Sequence, residues 1–278
     1  MKKYSRVYVE ITNICNKSCS FCPGTKRKAT TVSPEQFNIL TEKLVGITDY
    51  IYLHVMGEPL MHPYLEELIS IAVSRGFKCA ITTNGTLLPD MAQMLAKSGL
   101  YKLSISVHSL EDGDTGEYDK YVGDCAEAAD LLSRSGILTV MRLWNRGFDR
   151  GRNVDIVNIL KRHFPDGEWL ESPRGIRIRD KLHIEYGDRF AWPDIAIDDI
   201  SDCVFCYGLK DHFGILADGT VVPCCLDRDG EIALGNAYRQ DIVEILSSER
   251  AIAIAQGFAN RRAVEPLCKK CGYARRFG

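Results

Sequence analysis

Short apolar runs alternate with segments of helical hydrophobic spacing along the first two-thirds of the chain. The apolar runs are rich in β-branched and aromatic residues and predict strands, whereas apolar residues three and four positions apart predict helices. The predicted strands lie at 7–11, 50–56, 78–82, 102–107, 137–143 and 182–186, and the predicted helices at 34–44, 64–74, 89–98, 118–135 and 154–163. This alternation is typical of βαβ units around a parallel sheet, which is either a barrel or doubly wound.

The pattern changes in the last third. The stretch 165–202 is irregular and rich in Arg, Gly, Asp and Pro, so we expect it to lead into a second unit. We therefore predict one domain at 1–200 and a smaller one at 201–278. The smaller one contains a predicted β-hairpin at 213–217 and 220–222 around Asp218-Gly219, then short helices at 242–246 and 250–256.

Composition sets broad limits on function. The chain has 278 residues, of which 45% are hydrophobic and 26% charged, and a formal net charge of −2. That charge gives no global attraction to nucleic acid or to an anionic membrane, and we interpret Lys26-Arg27-Lys28 as solvated surface charge. No signal peptide and no long apolar span is visible, so we expect a cytoplasmic protein without nucleic-acid or membrane partners.

Eleven cysteines are too many for ordinary packing. Cys15, Cys19 and Cys22 follow the first predicted strand in the string CNKSCSFC. In a reducing compartment, clustered cysteines favour metal binding over disulfides. Three thiolates can hold a [4Fe–4S] cluster and leave one iron open to a ligand that is not protein. The alternatives are a zinc site with a fourth ligand and three buried thiols.

Six further cysteines lie near the C-terminus: Cys203, Cys206, Cys224, Cys225, Cys268 and Cys271. The two Cys-x-x-Cys pairs are compatible with a zinc ribbon, which leaves Cys224 and Cys225 without a role. An auxiliary [4Fe–4S] cluster is the other interpretation. Cys79 and Cys125 stand alone, and we expect them to be ordinary buried thiols.

The CxxxCxxC spacing, with Phe21 before the last cysteine, resembles the radical S-adenosylmethionine (SAM) enzymes. Companion segments follow in the family's order: His54–Pro59 is similar to its Gly-Glu-Pro segment, Thr83–Leu88 to the segment after the third strand, and Ile105–His108 to the one after the fourth. Met56 replaces the first glycine of the family's Gly-Gly-Glu-Pro. The resemblance implies a partial (β/α)₆ TIM-like barrel.

The resemblance also implies where SAM binds. Backbone carbonyls of Met56 and Gly57 would accept from its ammonium group, Ser106 would approach its ribose, and Arg142 would pair with its carboxylate. The implied cofactor-binding residues are Met56, Gly57, Glu58, Asn84, Ser106 and Arg142. Glu58 has an alternative role as a helix-capping carboxylate, and Arg142 as a barrel arginine paired with a neighbouring acid.

Three residues are predicted at the catalytic end of the barrel: His108, Trp144 and Asn145. We expect them to contact substrate, although a single His or Trp is more often structural.

The C-terminal region resembles the SPASM and Twitch modules that follow radical SAM barrels. This likeness implies that Cys206, Cys224, Cys268 and Cys271 hold one auxiliary [4Fe–4S] cluster, as in the shorter Twitch form. Cys203 and Cys225 are then spare, and either could replace a neighbouring ligand.

The implied function is reductive cleavage of SAM to a 5′-deoxyadenosyl radical, which abstracts a substrate hydrogen. An auxiliary cluster ligated fully by protein favours two-electron oxidation of a small molecule, with a flavodoxin or ferredoxin as reductant. Modification of a peptide is the alternative. The chain starts almost at the first strand, so we expect a precursor-binding unit to be missing or to be supplied by another protein. A metal-binding scaffold without catalysis is the alternative of another class.

Overall fold

The structure is a computed structural model that describes residues 3–110, 115–198 and 201–277. The strands in these ranges are β1 (Arg6–Val9), β2 (Tyr50–Tyr52), β3 (Lys78–Thr83), β4 (Lys102–Ser106), β5 (Leu138–Arg146), β6 (Leu170–Ser172), β7 (Gly175–Arg179), β8 (Leu182–Asp188), β9 (His212–Ile215), β10 (Thr220–Val222) and β11 (Gly235–Asn236). The α-helices are α1 (Pro34–Leu44), α2 (Leu65–Ser74), α3 (Leu88–Lys97), α4 (Thr115–Arg134), α5 (Arg152–His163), α6 (Ile242–Leu246), α7 (Glu249–Ala259) and α8 (Pro266–Lys269).

All of these strands belong to one open sheet with the order β11-β10-β9-β1-β2-β3-β4-β5-β8-β7-β6. The six neighbours from β1 to β5 and β8 are parallel, and α1 to α5 make the crossovers between them. This is the partial (β/α)₆ barrel that the sequence predicts. The catalytic end of such a sheet is the carboxyl end of its strands.

Side chains on distant strands affect each other's pKa, which indicates that the sheet curls. Burial lowers the pKa of Arg142 on β5, and Glu185, Tyr8 and Cys225 oppose that effect. Tyr8 lies on β1, four strands away, which would be about 19 Å in a flat sheet. The inner face of the sheet is therefore concave and enclosed by these strands.

Local sequence signals explain the helices well. Ser33 caps α1, its hydroxyl accepts from the Gln36 amide at 3.2 Å, and the Gln36 side chain accepts from the Ser33 amide at 2.9 Å. This reciprocal pair is a capping box. Phe37, Leu40 and Leu44 then face inward and are buried, so α1 covers the outer side of the sheet.

The stretch from residue 165 is more regular than expected. Strands β6 and β7 form an antiparallel pair and continue the sheet beyond β8. Ile176 and Ile178 alternate into the core, a period-2 signal hidden by the flanking arginines. At Gly175 a Cβ would lie 2.0 Å from the carbonyl oxygen of Ile184, so glycine permits the close strand contact.

The C-terminal hairpin joins the barrel sheet rather than forming a sheet of its own. Its strand β9 pairs in parallel with β1, with Val7 opposite Phe213, and β10 returns antiparallel. Gly219 ends the loop 216–219 between these strands at φ +86, a left-handed conformation that suits glycine. The C-terminal region is thus attached to the strand that leads into the first cysteine loop.

A search of the described helices found none with the length and apolar character that a membrane crossing requires.

Candidate functional site

The first three predicted ligands lie on the loop after β1. Cys15 and Cys22 are exposed and Cys19 is half-buried. The Cys22 amide donates to the Cys19 carbonyl at 3.0 Å, and the Val32 amide donates to Ile11 at 2.8 Å. The loop is therefore closed at its base, while two of its three sulfurs remain accessible from outside the protein.

The segment after β2 lies directly against this loop. Gly57 has φ +77, and a Cβ there would lie 2.5 Å from the Thr12 carbonyl oxygen. The Glu58 amide donates to the Ile14 carbonyl at 2.8 Å. These contacts hold the segment against the cysteine loop, whereas the sequence predicts a strand that continues to Met56 and β2 ends at Tyr52. Only glycine fits this close approach of two backbones.

Glu58 and Asn84 connect this segment to the one after β3. The Glu58 carboxylate accepts from the Leu60 amide at 3.0 Å and from the Asn84 amide at 2.7 Å, and burial raises its pKa. The Asn84 side chain donates to Asn16 at 2.8 Å and lies 3.9 Å from the Cys15 sulfur. Glu58 therefore has the capping role that sequence analysis left open, and Asn84 orients the cysteine loop.

A buried carboxylate that sequence analysis missed links both ends of the protein. Glu10 is 0% exposed; it pairs with Arg27 at 2.7 Å and accepts from the Met56 amide at 3.1 Å and the Ala217 amide at 3.0 Å. It thereby ties the cysteine loop and the segment after β2 to the C-terminal hairpin. The available signal was one acidic residue between Val9 and Ile11 in an apolar run.

The interpretation of Arg27 as solvated surface charge is wrong. Its side chain is only 12% exposed, and its Nε donates to the Arg228 carbonyl at 2.8 Å. Thr25 donates to the Asp229 carboxylate at 2.7 Å. The cysteine loop is thus docked onto the C-terminal region through these contacts.

The predicted catalytic residues lie at the ends of β4 and β5. His108 packs against the Phe21 ring at 5.0 Å between centroids, and its Nδ1 lies 2.9 Å from the Arg142 carbonyl oxygen. Together with Trp144 and Asn145 it lines a cavity of about 380 Å³ beside the cysteine loop. The cavity also contains three arginines: Arg150, Arg152 and Arg189.

Asn145 and Ser106 have structural contacts of their own. The Asn145 side-chain oxygen accepts from Asn153 at 2.9 Å, which fixes the loop between β5 and α5. Ser106 ends β4 opposite Arg142 in register, and its carbonyl accepts from the Tyr121 hydroxyl at 3.5 Å. The structure brings both residues to the rim where sequence analysis expects them.

Arg142 lies on the inner face of the barrel. Its guanidinium stacks 3.3 Å from the Trp144 ring centroid, and its Nε has no hydrogen-bond partner in the described part of the chain. Glu185, the acid opposite Arg142 in register, acts on it electrostatically. The groups that act on its charge belong to the barrel interior and the C-terminal region.

Four C-terminal cysteines line a second, apolar cavity: Cys206, Cys224, Cys268 and Cys271. Burial raises the pKa of Cys224 and of Cys268 well above the usual value, and Cys206 and Cys271 add to this effect at both. Within the described ranges, no three His, Cys, Asp or Glu side chains are gathered closely enough for a single metal ion.

The remaining two cysteines of this region face elsewhere. Cys203 is exposed and bridges to Arg262 through its backbone. Burial raises the pKa of Cys225 to about 11, and a hydrogen bond from Tyr8 opposes this effect. Tyr8 is a β1 residue, so Cys225 faces the barrel interior. As expected, Cys79 and Cys125 are buried in the core.

Comparison with known protein families matches residues 9–165 to the Radical SAM superfamily. The chain belongs to the radical SAM superfamily. A second match covers residues 206–272 and describes an iron–sulfur cluster-binding domain of SPASM type. The protein is therefore an enzyme that uses SAM and two [4Fe–4S] clusters, as the sequence analysis inferred, and the zinc and scaffold alternatives are set aside.

Several relatives of this chain are named GTP 3′,8-cyclases. One from Chlorobaculum tepidum is 32% identical, covering 90% of this chain and 87% of the relative. Another, from Microcystis aeruginosa, is 27% identical over 87% of each chain. Neither is named as a dehydrogenase or a peptide maturase.

Two solved structures with bound AdoMet share the fold of this chain. BtrN in complex with AdoMet and 2-DOIA has a TM-score of 0.64 at 19% identity, covering 98% of this chain and 94% of BtrN. The structure of anSMEcpe with bound AdoMet has a TM-score of 0.61 at 13% identity, covering 96% of this chain and 88% of anSMEcpe. At these identities the likeness concerns the fold.

Proposed function

We propose that this radical SAM enzyme oxidises a small molecule bound in the barrel. The reaction would remove a hydrogen atom from a substrate C–H bond and then one electron and one proton from the resulting substrate radical. Cys206, Cys224, Cys268 and Cys271 would hold the auxiliary cluster that would accept the electron, and the proton would pass to solvent. When bound, SAM and the first cluster supply the radical that takes the hydrogen atom, and the second cluster supplies the electron acceptor.

The residues present fit these groups. Cys15, Cys19 and Cys22 offer three thiolates on an exposed loop, and thiolates are the usual ligands of iron–sulfur clusters. Gly57 keeps the backbone beside the loop free of a side chain. We propose that Met56, Gly57 and Ser106 contact SAM, while Glu58 and Asn84 hold the surrounding segments in place.

The observation that carries the proposal is the cavity lined by Cys206, Cys224, Cys268 and Cys271. Four protein thiolates complete the coordination of a [4Fe–4S] cluster. Such a cluster has no iron left for a substrate, and the cavity around these sulfurs is apolar in its lining. Electron transfer is then its remaining role, and net oxidation follows.

The three predicted catalytic residues differ in their contacts, and we propose different roles for them. His108 and Trp144 line the cavity beside the cysteine loop, and the Trp144 indole nitrogen has no partner in the described part of the chain. We propose that both contact the reacting molecules. Asn145 uses its side-chain oxygen for Asn153, so it positions the loop instead.

The experiment uses a deuterated cell extract, the reconstituted holoenzyme, SAM and a flavodoxin or ferredoxin donor. Small-molecule oxidation predicts deuterium in 5′-deoxyadenosine when the extract has been freed of peptides by ultrafiltration. The matched Cys268→Ala variant should still form labelled 5′-deoxyadenosine but should give no oxidised product. Label that appears only with the retained peptide fraction overturns the proposal.

Cyclisation of GTP is the second candidate function. It is favoured by the names of the relatives and by the three arginines in the cavity beside the cysteine loop. GTP labelled with deuterium at the 3′ position tests it directly. Transfer of this label to 5′-deoxyadenosine, with a cyclised product, would replace oxidation as the function of the enzyme.

A further inference from the structure

The inner face of the barrel carries charge where a closed barrel would be packed with apolar residues. Arg6 begins β1, Lys102 begins β4, and Arg142 lies within β5. All three are half-buried rather than fully enclosed. The interior of the barrel therefore has basic side chains on its wall.

These basic groups act on one another. Burial lowers the pKa of Lys102, Glu185 opposes this effect, and Arg142 and Arg6 add to the lowering. Like charges that depress a lysine pKa lie close together in a region with little solvent. Glu185 offsets part of the positive charge and leaves an excess of cations.

Two histidines on the same face add hydrogen-bonding groups without charge. Burial lowers the pKa of His54 to about 3, and Arg142 and Lys102 contribute to the lowering. Burial lowers the pKa of His212 to about 4, with a contribution from Arg6. Both rings contact Tyr8, at 5.6 Å between centroids, so they lie at one place in the barrel.

Several buried nitrogens on this face have no hydrogen-bond partner among the described residues: Arg6 Nε, His54 Nδ1, Arg142 Nε, Trp144 Nε1 and His212 Nδ1. Buried polar atoms in proteins are nearly always paired. A concentration of unpaired nitrogens beside an excess of positive charge indicates a ligand with several acceptor oxygens. Phosphate and carboxylate groups have this chemistry.

We propose that the inner-face basic cluster, which comprises Arg6, His54, Lys102, Arg142 and His212, binds an oxyanion of the substrate. The inference rests on the proposed function, because it names the substrate class of that same site as an anionic small molecule. Arg142 and Lys102 make the principal contacts. This role for Arg142 replaces the predicted pairing with the SAM carboxylate.

The position of the cluster supports this assignment. Tyr8 lies among these residues and donates a hydrogen bond to Cys225, the neighbour of Cys224 in the second cysteine cavity. At the other end, Trp144 lines the cavity beside the first cysteine loop. An anion held between these points lies between the two cysteine sites, where a substrate that reacts at one and transfers an electron to the other belongs.

Equilibrium dialysis under anaerobic conditions tests the inference without turnover. The probes are pyrophosphate and malonate, added separately to the holoenzyme at saturating SAM and low salt. We expect Arg142→Gln and Lys102→Gln each to weaken the binding of at least one probe by about tenfold or more. The probe that responds shows whether the oxyanion is a phosphate or a carboxylate.

The controls separate the alternatives. Arg177→Gln removes an arginine with a half-exposed side chain from β7 and should leave probe binding unchanged. If the holoenzyme binds neither pyrophosphate nor malonate, the inference is overturned. It is also overturned if Arg189→Gln weakens probe binding as much as Arg142→Gln and Lys102→Gln do. A loss of SAM binding in Arg142→Gln with normal probe binding also overturns it and assigns Arg142 to SAM. Because no product is measured, these outcomes do not depend on whether the enzyme is an oxidase or a cyclase.

Discussion

Cys15 and Cys22 are exposed on a loop at the carboxyl end of the sheet, whereas Cys224 and Cys268 line an apolar cavity in the C-terminal region. Burial raises the pKa of the second pair well above the usual value. The first site offers three sulfurs and open access, and the second offers four sulfurs and enclosure. This difference is the basis of the proposal that the substrate reacts near the first site and that the second site takes up an electron.

The two regions are nevertheless connected by hydrogen bonds and by strand pairing. Glu10 receives hydrogen bonds from Met56 beside the first site and from Ala217 in the C-terminal hairpin. Parallel pairing of β1 with β9 continues this link through the backbone. A substrate between the sites would therefore meet both in a fixed relation.

Loss of one cysteine in each region should separate their functions most clearly. We expect Cys19→Ala to abolish the formation of 5′-deoxyadenosine, since the first site loses a ligand. Cys206→Ala should retain it while losing the product. Chromatography of 5′-deoxyadenosine after reduction with dithionite is the measurement, and equal loss in both variants would remove the distinction.

Glu10→Gln should weaken the link between the regions. The substitution leaves the buried Arg27 guanidinium without its carboxylate, so we expect a loss of about 3 to 5 kcal/mol in the free energy of unfolding. Urea denaturation measures it. Asp49→Asn, which breaks the exposed pair with Lys3, is the control and should cost less than about 1 kcal/mol. Similar losses in the two variants would contradict the linking role.

Gly57→Ala should affect the first region alone. The added Cβ meets the Thr12 carbonyl oxygen at 2.5 Å in a backbone at φ +77, so the segment must move away from the cysteine loop. We expect SAM to bind about tenfold more weakly, corresponding to about 1.4 kcal/mol. Gly76→Ala has a similar φ of +83 but open space around it, and it should leave SAM affinity unchanged.

Acid should destabilise the folded protein through His54, which lies between the two regions. The pKa of His54 falls from 6.5 to about 3 through burial and the nearby Arg142 and Lys102. The unfolded chain takes up a proton below pH 6.5, while folded His54 stays neutral to about pH 3, so stability decreases as the pH falls through this window. We expect a loss of about 2 kcal/mol near pH 5 from this group.

Urea denaturation of the metal-free protein near pH 7 and near pH 5 measures this loss. His54→Gln should reduce it, and an unchanged pH dependence in that variant would show that His54 is not the group responsible.

The smallest effect is expected at the edge of the second region. Cys203 is exposed and Cys225 faces Tyr8, so Cys203→Ala and Cys225→Ala should keep the full iron content. A loss of iron in either variant, comparable to that in Cys268→Ala, would show that the substituted cysteine is a ligand of the auxiliary cluster.

The alternating pattern was sufficient to predict the parallel strands and most helices, because each buries one regular face. The Ser33–Gln36 capping box also follows directly from sequence. Strand β2 was predicted too long because the Met56 amide bonds to Glu10 rather than to a neighbouring strand. That contact depends on residues 46 positions apart, which no local pattern records.

Among the site residues, too, those set by local sequence spacing could be predicted, whereas those set by contacts between distant residues could not. Cysteine spacing is local, so three candidate ligands could be named from sequence. Selecting Cys206 and Cys224 over Cys203 and Cys225 required the likeness to known modules. The selected four cysteines line one cavity, and their role as ligands stays a prediction. Arg27 was misjudged because its partner, Glu10, lies 17 positions earlier in the chain, directly after β1.

The most direct test of the central claim uses a variant in which Cys15, Cys19 and Cys22 are all alanine. It should retain about four irons per chain, and its reduced EPR spectrum should not change when SAM, GTP or pyrophosphate is added, because Cys206, Cys224, Cys268 and Cys271 complete the coordination of the cluster. A spectrum that shifts with any of these molecules would show an open iron in the C-terminal cavity and would contradict the division of roles between the two sites.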